Sequence, residues 1–469
     1  MRFVIFTLIS LISSIGIIPA IPFDDASAIA YFPPPLKQIL DGVVPENVTC
    51  TEGLVIALKA LDNSPVCLKP TSIEKLIQRG WAIEKEAIVI DDTVQDDFKF
   101  IKDDGSVATE QEIAERVEYL VKISDPRTDE ERAKDVVYRE KYGDAIIIDS
   151  VVIGTQGVVG HTFDDVANLA SHYKEGAYTA FGTTTTNGDE GAAPVFERLD
   201  NFRIWIEENN EEYQIISSVN DLHDVKKNGK AGFIINSQSS DMLDGELVNV
   251  QKFYDAGIRQ LNFAYNVDNM WAAGMNSNNQ ENVGLTELGE QLVIEMNKVG
   301  MLVDCSHSSD QACIDAARVT TKPMVLSHSN PRALLDNIRN SNDEAIKAVA
   351  STGGVICTNY IGSFLNEEGD ASPKAISKHV DYVKQLVGAQ ATCLGSDYVQ
   401  AYGISIDQII RNPDKYPPEQ GYGAAAQLGL PTDGWGIAQV LEEDYNWTEE
   451  EIRGLLGVNL IRIYDANWN

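Results

Sequence analysis

Three short segments combine histidine, aspartate and serine in a pattern that suits metal-assisted hydrolysis. His307 ends the apolar run VDCSH, His328 ends the run VLSH, and Asp397 ends the run CLGSD. Neutral imidazole and carboxylate are ligands of Zn²⁺, and an aspartate beside a metal-bound water can take its proton. A lone histidine after a strand more often bonds to backbone, but two Ser-His dipeptides and an aspartate at equivalent positions favour a functional site. The other four histidines lie in polar or helical contexts and are predicted to be surface residues: His161, His172, His223 and His379.

The elements that must position these residues are alternating strands and helices between residues 144 and 469. Eight apolar runs alternate with amphipathic helical stretches: 145–149, 177–182, 231–236, 258–265, 300–307, 323–328, 354–360 and 391–397. This alternation predicts an α/β fold, a (β/α)8 TIM-type barrel, in which side chains just past the strand ends face the active site. The run 213–218 is interpreted as an accessory strand. An open doubly wound sheet is the alternative, but no glycine-rich nucleotide loop follows any run.

The composition limits the classes of partner. The 469 residues include 37 Lys and Arg against 71 Asp and Glu, giving a formal net charge of −34, and 43% are hydrophobic. The chain is therefore globular and too apolar to be disordered. The acidic surplus argues against nucleic acid and anionic membrane surfaces as partners, because a phosphate backbone needs Lys and Arg.

The N-terminus has the features of a signal peptide. Arg2 precedes an uncharged apolar run over residues 3–23, and the triplet 26–28 (ASA) offers a cleavage site. We predict a signal peptide over residues 1–28 and an exported, extracytoplasmic or cell-surface protein, with a retained membrane anchor as the alternative. Export permits disulfides, and Cys50 and Cys67 are the candidate pair. The other four cysteines adjoin apolar runs and are predicted to be buried thiols: Cys305, Cys313, Cys357 and Cys393.

Two further regions precede the barrel. Residues 35–82 read as two short strands followed by a helix, in which Thr71 and Glu74 have the spacing of a capping box. This predicted α+β module is similar to a small module near the N-terminus of exported archaeal proteins, and a spacer or surface-attachment role is its simplest interpretation. Residues 83–140 are strongly charged with helical periodicity, which predicts a charged helical linker.

A long ordered series of short motifs runs through the barrel region: Gly284-Leu285-Thr286, Gly289, 295–300 (EMNKVG), 304–307 (DCSH), Lys322-Pro323, 327–332 (SHSNPR), Arg339-Asn340, Asp343-Glu344, 395–397 (GSD) and 459–462 (NLIR). With these motifs, residues 144–466 resemble the renal (membrane) dipeptidase family of metallopeptidases, which are amidohydrolase-like barrels. The resemblance implies that His307 and His328 bind the second metal of a two-metal centre and that Asp397 handles the proton of the attacking water. It also implies that Arg339 holds the substrate carboxylate, for which a fork of N–H donors is suited.

Four positions of this sequence differ from the metal-ligand pattern of that family. Val151 and Ile153 stand where the family has the His-x-Asp ligands of the first metal, and aliphatic side chains cannot bind zinc. Gln238 stands where the carboxylate that bridges the two metals is expected, and an amide cannot supply its negative charge. Tyr265 replaces a further family histidine. We therefore predict that Arg339, Tyr265 and Gln238 contact substrate and that a two-metal centre does not form.

The predicted function follows from the retained residues. We expect an exported metal-dependent hydrolase that cleaves dipeptides or related small amides with a free carboxylate. At most one Zn²⁺ is expected on His307 and His328, with Asp397 or water completing its shell. The alternative is a catalytically impaired pseudoenzyme that binds amino-acid-like solutes. A structural role dominated by the N-terminal module is disfavoured by the retained site residues. The family resemblance also makes a homodimer plausible.

Overall fold

The computed structural model of the protein describes residues 50, 55–59, 65–68, 82–83, 109–123, 127, 132–153, 162–186, 188, 190–277, 283–399, 402–412, 416, 420, 422 and 426–468. The chain folds into two compact units, residues 1–97 and 98–469. The predicted signal peptide and the predicted helix after residue 70 lie outside the described residues. Within the described part of the chain, no helix has the length and apolar character needed to span a membrane.

The first unit contains a small antiparallel sheet. Its strands are β1 (Val55–Lys59), β2 (Pro65–Leu68) and β3 (Ala82–Ile83), arranged in the order β2-β1-β3. β1 and β2 are the two strands that the sequence pattern places on either side of a polar turn. Cys50 is disulfide-bonded, and the assignment of Cys67 as its partner stays a prediction.

The second unit is a parallel barrel. Its strands are β4 (Ile148–Ile153), β5 (Ala180–Thr184), β6 (Tyr213–Ile215), β7 (Ala231–Ser237), β8 (Gln260–Asn262), β9 (Leu302–Asp304), β10 (Val325–Leu326), β11 (Val355–Thr358), β12 (Thr392–Leu394) and β13 (Tyr398–Val399). The sheet runs β12-β11-β10-β9-β8-β7-β5-β4-β13, and β6 pairs with β7 as the predicted accessory strand. Only residues 395–397 separate β12, which pairs with β11, from β13, which pairs with β4. The sheet therefore closes on itself, as the predicted TIM-type barrel requires.

Helices alternate with these strands. They are α1 (Glu110–Ile123), α2 (Asp135–Tyr142), α3 (Phe163–Glu175), α4 (Ala192–Glu208), α5 (Val219–Asn228), α6 (Val248–Asp255), α7 (Glu287–Val299), α8 (Asp310–Val319), α9 (Asp343–Ser351), α10 (Pro373–Val387), α11 (Tyr402–Arg411), α12 (Gly434–Glu443), α13 (Glu449–Arg453) and α14 (Asn459–Asn467). Side-chain caps begin many of them: Thr162 and Asp165 form a reciprocal capping box at α3, and Ser372 caps α10 directly before a proline.

The barrel interior is closed at one end by the C-terminal helix. Inward-facing side chains of successive strands, among them Ile148, Ile234 and Val355, share a buried cluster with Leu460 and Tyr464 of α14. Strands buried on both faces explain why the sequence shows continuous apolar runs instead of alternation. Because α14 packs against this interior, the polar strand ends lie at the opposite, carboxyl-terminal mouth.

Part of the predicted linker belongs to the barrel unit. Ile113 and Leu120 of α1 pack with Ile406 and Ile410 of α11. Farther along, Arg127 forms ion pairs with Asp135 at 2.6 Å and Asp433 at 2.9 Å, all in a buried setting, and Tyr138 of α2 donates a hydrogen bond to Glu443 of α12. Apolar and charged contacts therefore fix both described helices of this region against the barrel helices.

The prediction that the four barrel cysteines are free thiols is wrong. Cys305 is bonded to Cys313, eight residues on at the start of α8, and Cys357 is bonded to Cys393 across the paired strands β11 and β12. All four are buried, as expected, but burial alone does not distinguish a thiol from a disulfide. The second pairing becomes visible only when the two strands are placed side by side.

Candidate functional site

Two histidines face each other at the carboxyl-terminal mouth of the barrel. His307 follows β9 and His328 follows β10, and their Nε2 atoms are 2.8 Å apart. Both side chains are buried. Burial and then the charge of Arg339 hold the pKa of His328 well below its ordinary value, so its imidazole is neutral. The structure thus brings together the two residues that the sequence predicts to be metal ligands.

The other nitrogen of each ring has an oxygen partner. His307 Nδ1 lies 2.6 Å from Oδ1 of Asn266, and His328 Nδ1 lies 2.7 Å from Oγ of Ser327. Asn266 Nδ2 donates to Tyr422 Oη at 3.3 Å, which leaves Asn266 Oδ1 to accept a hydrogen bond from Nδ1–H of His307. Such contacts fix ring orientation and direct the Nε2 lone pair into the site.

Arg339 is a buried cation beside the histidine pair. Its Nη2 lies 3.1 Å from His307 Nε2 and 4.0 Å from the nearer carboxylate oxygen of Asp397, and its guanidinium lies over the Phe364 ring at 5.7 Å. Among the described residues, Asp397 is the only carboxylate within 4.0 Å of this guanidinium. The group is thus placed to bind an anionic part of a ligand.

Asp397 lies on the segment between β12 and β13. Its Oδ2 accepts a hydrogen bond from Asn359 Nδ2 at 3.0 Å. Burial raises the pKa of Asp397 to about 6, although Arg339 and Asn359 act in the opposite direction. A carboxylate with this pKa can accept a proton near neutral pH.

Three residues of the site have a left-handed backbone. The φ angles are 63° at Asn266, 66° at His307 and 57° at Asp397. This region is costly for residues other than glycine, and such strain concentrates at functional sites. The turn in the backbone after each strand therefore directs these side chains into the barrel mouth at an energetic cost.

The two remaining predicted substrate residues lie in different places. Tyr265 stacks on His307 with ring centroids 4.2 Å apart, and Tyr416 packs edge-on against Tyr265 at 6.3 Å. Gln238 is buried after β7, where its Nε2 donates to Thr184 Oγ1 at 3.3 Å. Tyr265 therefore belongs to the wall of the histidine site, whereas Gln238 contacts the end of β5.

The two imidazoles are the described side chains of the site best suited to contact a metal ion. Both Nε2 atoms converge and both Nδ1 atoms have an oxygen partner, as in imidazoles that bind zinc. The residues expected to bind the first metal lie on β4, where Val151 is a buried aliphatic side chain. Gln238, at the expected bridging position, carries no charge. In the described part of the chain, no group of three or more His, Cys, Asp or Glu side chains has a metal-binding arrangement. Water would have to complete the shell of an ion on His307 and His328.

Sequence reasoning missed the amides that support this site. Asn266 directly follows Tyr265, and Asn359 directly follows β11, so the strand-end rule that finds His307 applies to both. Their chemistry gives no separate signal, because an amide at a strand end is usually structural. The prediction that His379 is a surface residue is wrong, since it is buried in α10 with Nε2 2.8 Å from the carbonyl oxygen of Leu365.

Comparisons with known proteins concern the sequence and the barrel fold. The sequence profile of the membrane dipeptidase family (peptidase family M19) matches residues 160–417. An uncharacterized dipeptidase of Schizosaccharomyces pombe is 26% identical over 292 residues, which are 61% of this chain and 64% of the relative, so this chain spans just under two thirds of the relative's length.

Solved structures share the fold. An amidohydrolase from Pseudomonas aeruginosa superposes with a TM-score of 0.61 at 23% identity, over 71% of this chain and 99% of that one. A metallopeptidase from Rhodobacter sphaeroides, liganded with a phosphinate mimic of the dipeptide L-Ala-D-Ala, superposes with a TM-score of 0.55 at 18% identity, over 69% and 100%. At these identities the likeness concerns the barrel fold alone.

Proposed function

Because this chain belongs to the membrane dipeptidase family, peptidase family M19, we propose that it is an exported hydrolase of dipeptides or related small amides with a free carboxylate. The observation that carries the proposal is the convergence of His307, His328, Arg339 and Asp397 at one mouth of the barrel. An imidazole pair, a buried cation and a carboxylate of raised pKa are the groups that such a hydrolysis needs.

Each residue has a distinct role in the proposed reaction. Arg339 binds the free carboxylate and so orients the scissile amide. Asp397, ionised above about pH 6, accepts the proton of the attacking water and returns it to the leaving amine. His307 and His328 would hold an ion of the zinc class, which would lower the pKa of the attacking water and polarise the carbonyl.

Binding of this kind requires Arg339 to change partners. Its Nη2 is 3.1 Å from the same His307 Nε2 that would bind an ion, and two cations at one lone pair repel each other. Contact with a substrate carboxylate would draw the guanidinium away from His307 and compensate its charge. Substrate and ion are therefore expected to bind cooperatively.

A pseudoenzyme that captures amino-acid-like solutes is the second candidate. The observation in its favour is the weak donor set: two imidazoles with a cation beside them, and the neutral Gln238 bonded to Thr184. Arg339 would still anchor a carboxylate in such a protein. The disulfides Cys305–Cys313 and Cys357–Cys393, with Cys50 also bonded, support export in either case, because reducing compartments disfavour such bonds.

One experiment separates the two candidates. Zinc content is measured after dialysis, together with hydrolysis and binding of a set of dipeptides and their C-terminal amides, for the wild type, His307→Ala and His223→Ala. The hydrolase should hold one zinc per chain and cleave only the free-carboxylate peptides. His307→Ala should lose both properties. His223→Ala should keep them, because His223 is exposed on α5.

The other outcomes are equally definite. Two zinc ions per chain would overturn the single-ion proposal. Carboxylate-selective binding without turnover, with or without zinc, would favour the pseudoenzyme. Equal binding of free dipeptides and their amides would remove the role of Arg339, and absence of both binding and hydrolysis would contradict both candidates.

A further inference from the structure

We propose that Asp304 is a positioning residue that holds both site imidazoles in place from beneath. The inference rests on the proposed function only in taking His307 and His328 as the working pair. Asp304 is the last residue of β9 and is completely buried. It lies three residues before His307, and its carboxylate accepts hydrogen bonds from Gln260 and from the backbone of Ser306 and Ser327.

One carboxylate bonds to both strand ends that carry the histidines. Asp304 Oδ1 accepts the backbone N–H of Ser306 at 3.0 Å and that of Ser327 at 3.2 Å. Its Oδ2 accepts a hydrogen bond from Nε2 of Gln260 at 2.9 Å. A buried carboxylate that accepts several N–H groups forms charge-assisted bonds, which are among the strongest in a protein interior.

Ser306 and Ser327 connect the Asp304 carboxylate to the two histidines. Ser306 and Ser327 directly precede His307 and His328, and Ser327 Oγ lies 2.7 Å from His328 Nδ1. Ser306 Oγ accepts the backbone N–H of His328 at 3.3 Å and a bond from Ser327 Oγ at 3.2 Å. The backbone of His307 has a φ of 66°, a conformation that the surrounding bonds must maintain.

Asp149 of β4 provides a matched control, because it has the same arrangement around a different site residue. It accepts the backbone N–H of Ser396 at 2.9 Å and the hydroxyl groups of Ser396 and Tyr173, and Ser396 directly precedes Asp397. Asp149 is as buried as Asp304. A change at Asp149 should therefore disturb packing equally while leaving the histidine strand ends bonded.

Asparagine is the appropriate replacement for Asp304. Its Oδ1 can still accept hydrogen bonds from the two backbone N–H groups. Gln260 Oε1 has no hydrogen-bond partner among the described residues, and after the Gln260 side chain rotates it can accept a hydrogen bond from the new amide N–H. The variant loses the charge but keeps the shape, so it should fold. The bonds to Ser306 and Ser327 become neutral and weaker.

The test uses metal-free full-length protein labelled with ¹⁵N-histidine at pH 8. Asp304→Asn should shift the imidazole nitrogen signals of both His307 and His328 and weaken Co²⁺ affinity roughly 10- to 100-fold. Asp149→Asn should leave those imidazole signals unchanged. His172 and His223 serve as internal references in every variant, because their rings lie outside the site.

Several outcomes overturn the inference. Unchanged imidazole signals in Asp304→Asn would show that Asp304 has only a structural role. A shift in the signals of one histidine alone would show that Asp304 does not position both rings. Equal shifts in Asp149→Asn would show that any buried change of this kind loosens the site. If Asp304→Asn does not fold, Gln260→Met is the second variant, because it removes one hydrogen-bond donor to Asp304. Unchanged imidazole signals in Gln260→Met would also contradict the inference. A wild type that hydrolyses nothing refutes the proposed function, while the imidazole signals still decide this inference.

Discussion

At the scale of single residues, Asp397 makes the sharpest prediction. Burial raises its pKa to about 6, and only the ionised form can accept a proton from water. We expect kcat/KM for a free-carboxylate dipeptide to be constant above pH 7 and to fall about tenfold per pH unit well below pH 6. The measurement is a rate profile from pH 4.5 to 9.

The control for this profile is Asp397→Asn. It keeps the hydrogen bond from Asn359 because the amide oxygen still accepts, but it cannot take a proton. Hydrolysis should fall by two or more orders of magnitude, as is typical for a lost general base. A wild-type rate that stays constant down to pH 4.5, or an Asp397→Asn variant with the wild-type profile, would show that Asp397 is not the base.

Residue types alone were enough to find the centre of the site but not its surroundings. His307, His328 and Asp397 were predictable because reactive side chains recurred at equivalent strand ends. Asn359 was not, because its partner Asp397 is 38 residues away and only the barrel brings them together. The role of Gln238 as a substrate residue rests on a positional match and stays a prediction, and in the structure its amide bonds to Thr184.

At the scale of elements, the alternation of apolar runs and helices predicted the parallel barrel and its accessory strand. It could not predict that a further short strand, β13, directly follows the last run, which ends at residue 397, because a break in the hydrogen-bond ladder leaves no mark on hydrophobicity. Nor could it predict that α1 packs on α11. The charged residues of α1 pointed to a linker, whereas its buried Ile113 and Leu120 decide its position.

The two barrel disulfides provide a prediction about these elements. Cys357–Cys393 closes a segment of 36 residues that contains α10, whereas Cys305–Cys313 closes one of 8 residues. Chain-entropy reasoning gives about 4 kcal/mol for the longer link and about 2.5 kcal/mol for the shorter one. Cys357→Ala/Cys393→Ala should therefore lower the free energy of unfolding by more than Cys305→Ala/Cys313→Ala.

Each double variant removes the same buried atoms, so the pair is internally matched. Urea unfolding of both variants and the wild type under oxidising conditions measures the difference, expected to be roughly 1 kcal/mol. Equal losses would show that loop length does not determine the contribution of these bonds. A larger loss for the shorter link would instead indicate that the Cys305 turn, next to His307, supports the fold.

At the scale of the whole molecule, the net charge of −34 opposes folding, because like charges repel more strongly in the compact state. Part of it is concentrated at the end of α4, where Glu207, Glu208, Glu211 and Glu212 are exposed. The last turn of α4 contains no basic residue, so acidic side chains there also face the negative end of the helix dipole. We therefore expect stability to rise with ionic strength.

Raising NaCl from 10 to 500 mM shortens the Debye length from about 30 Å to a few ångströms, and the melting temperature should increase by about 5 °C or more. Replacing those four glutamates with glutamine should raise the melting temperature at low salt and reduce its salt dependence. Glu287→Gln/Glu290→Gln is the matched control, because acidic residues in the first turn of α7 favour the helix; it should not stabilise. A melting temperature independent of salt would show that the acidic surplus does not destabilise the folded protein.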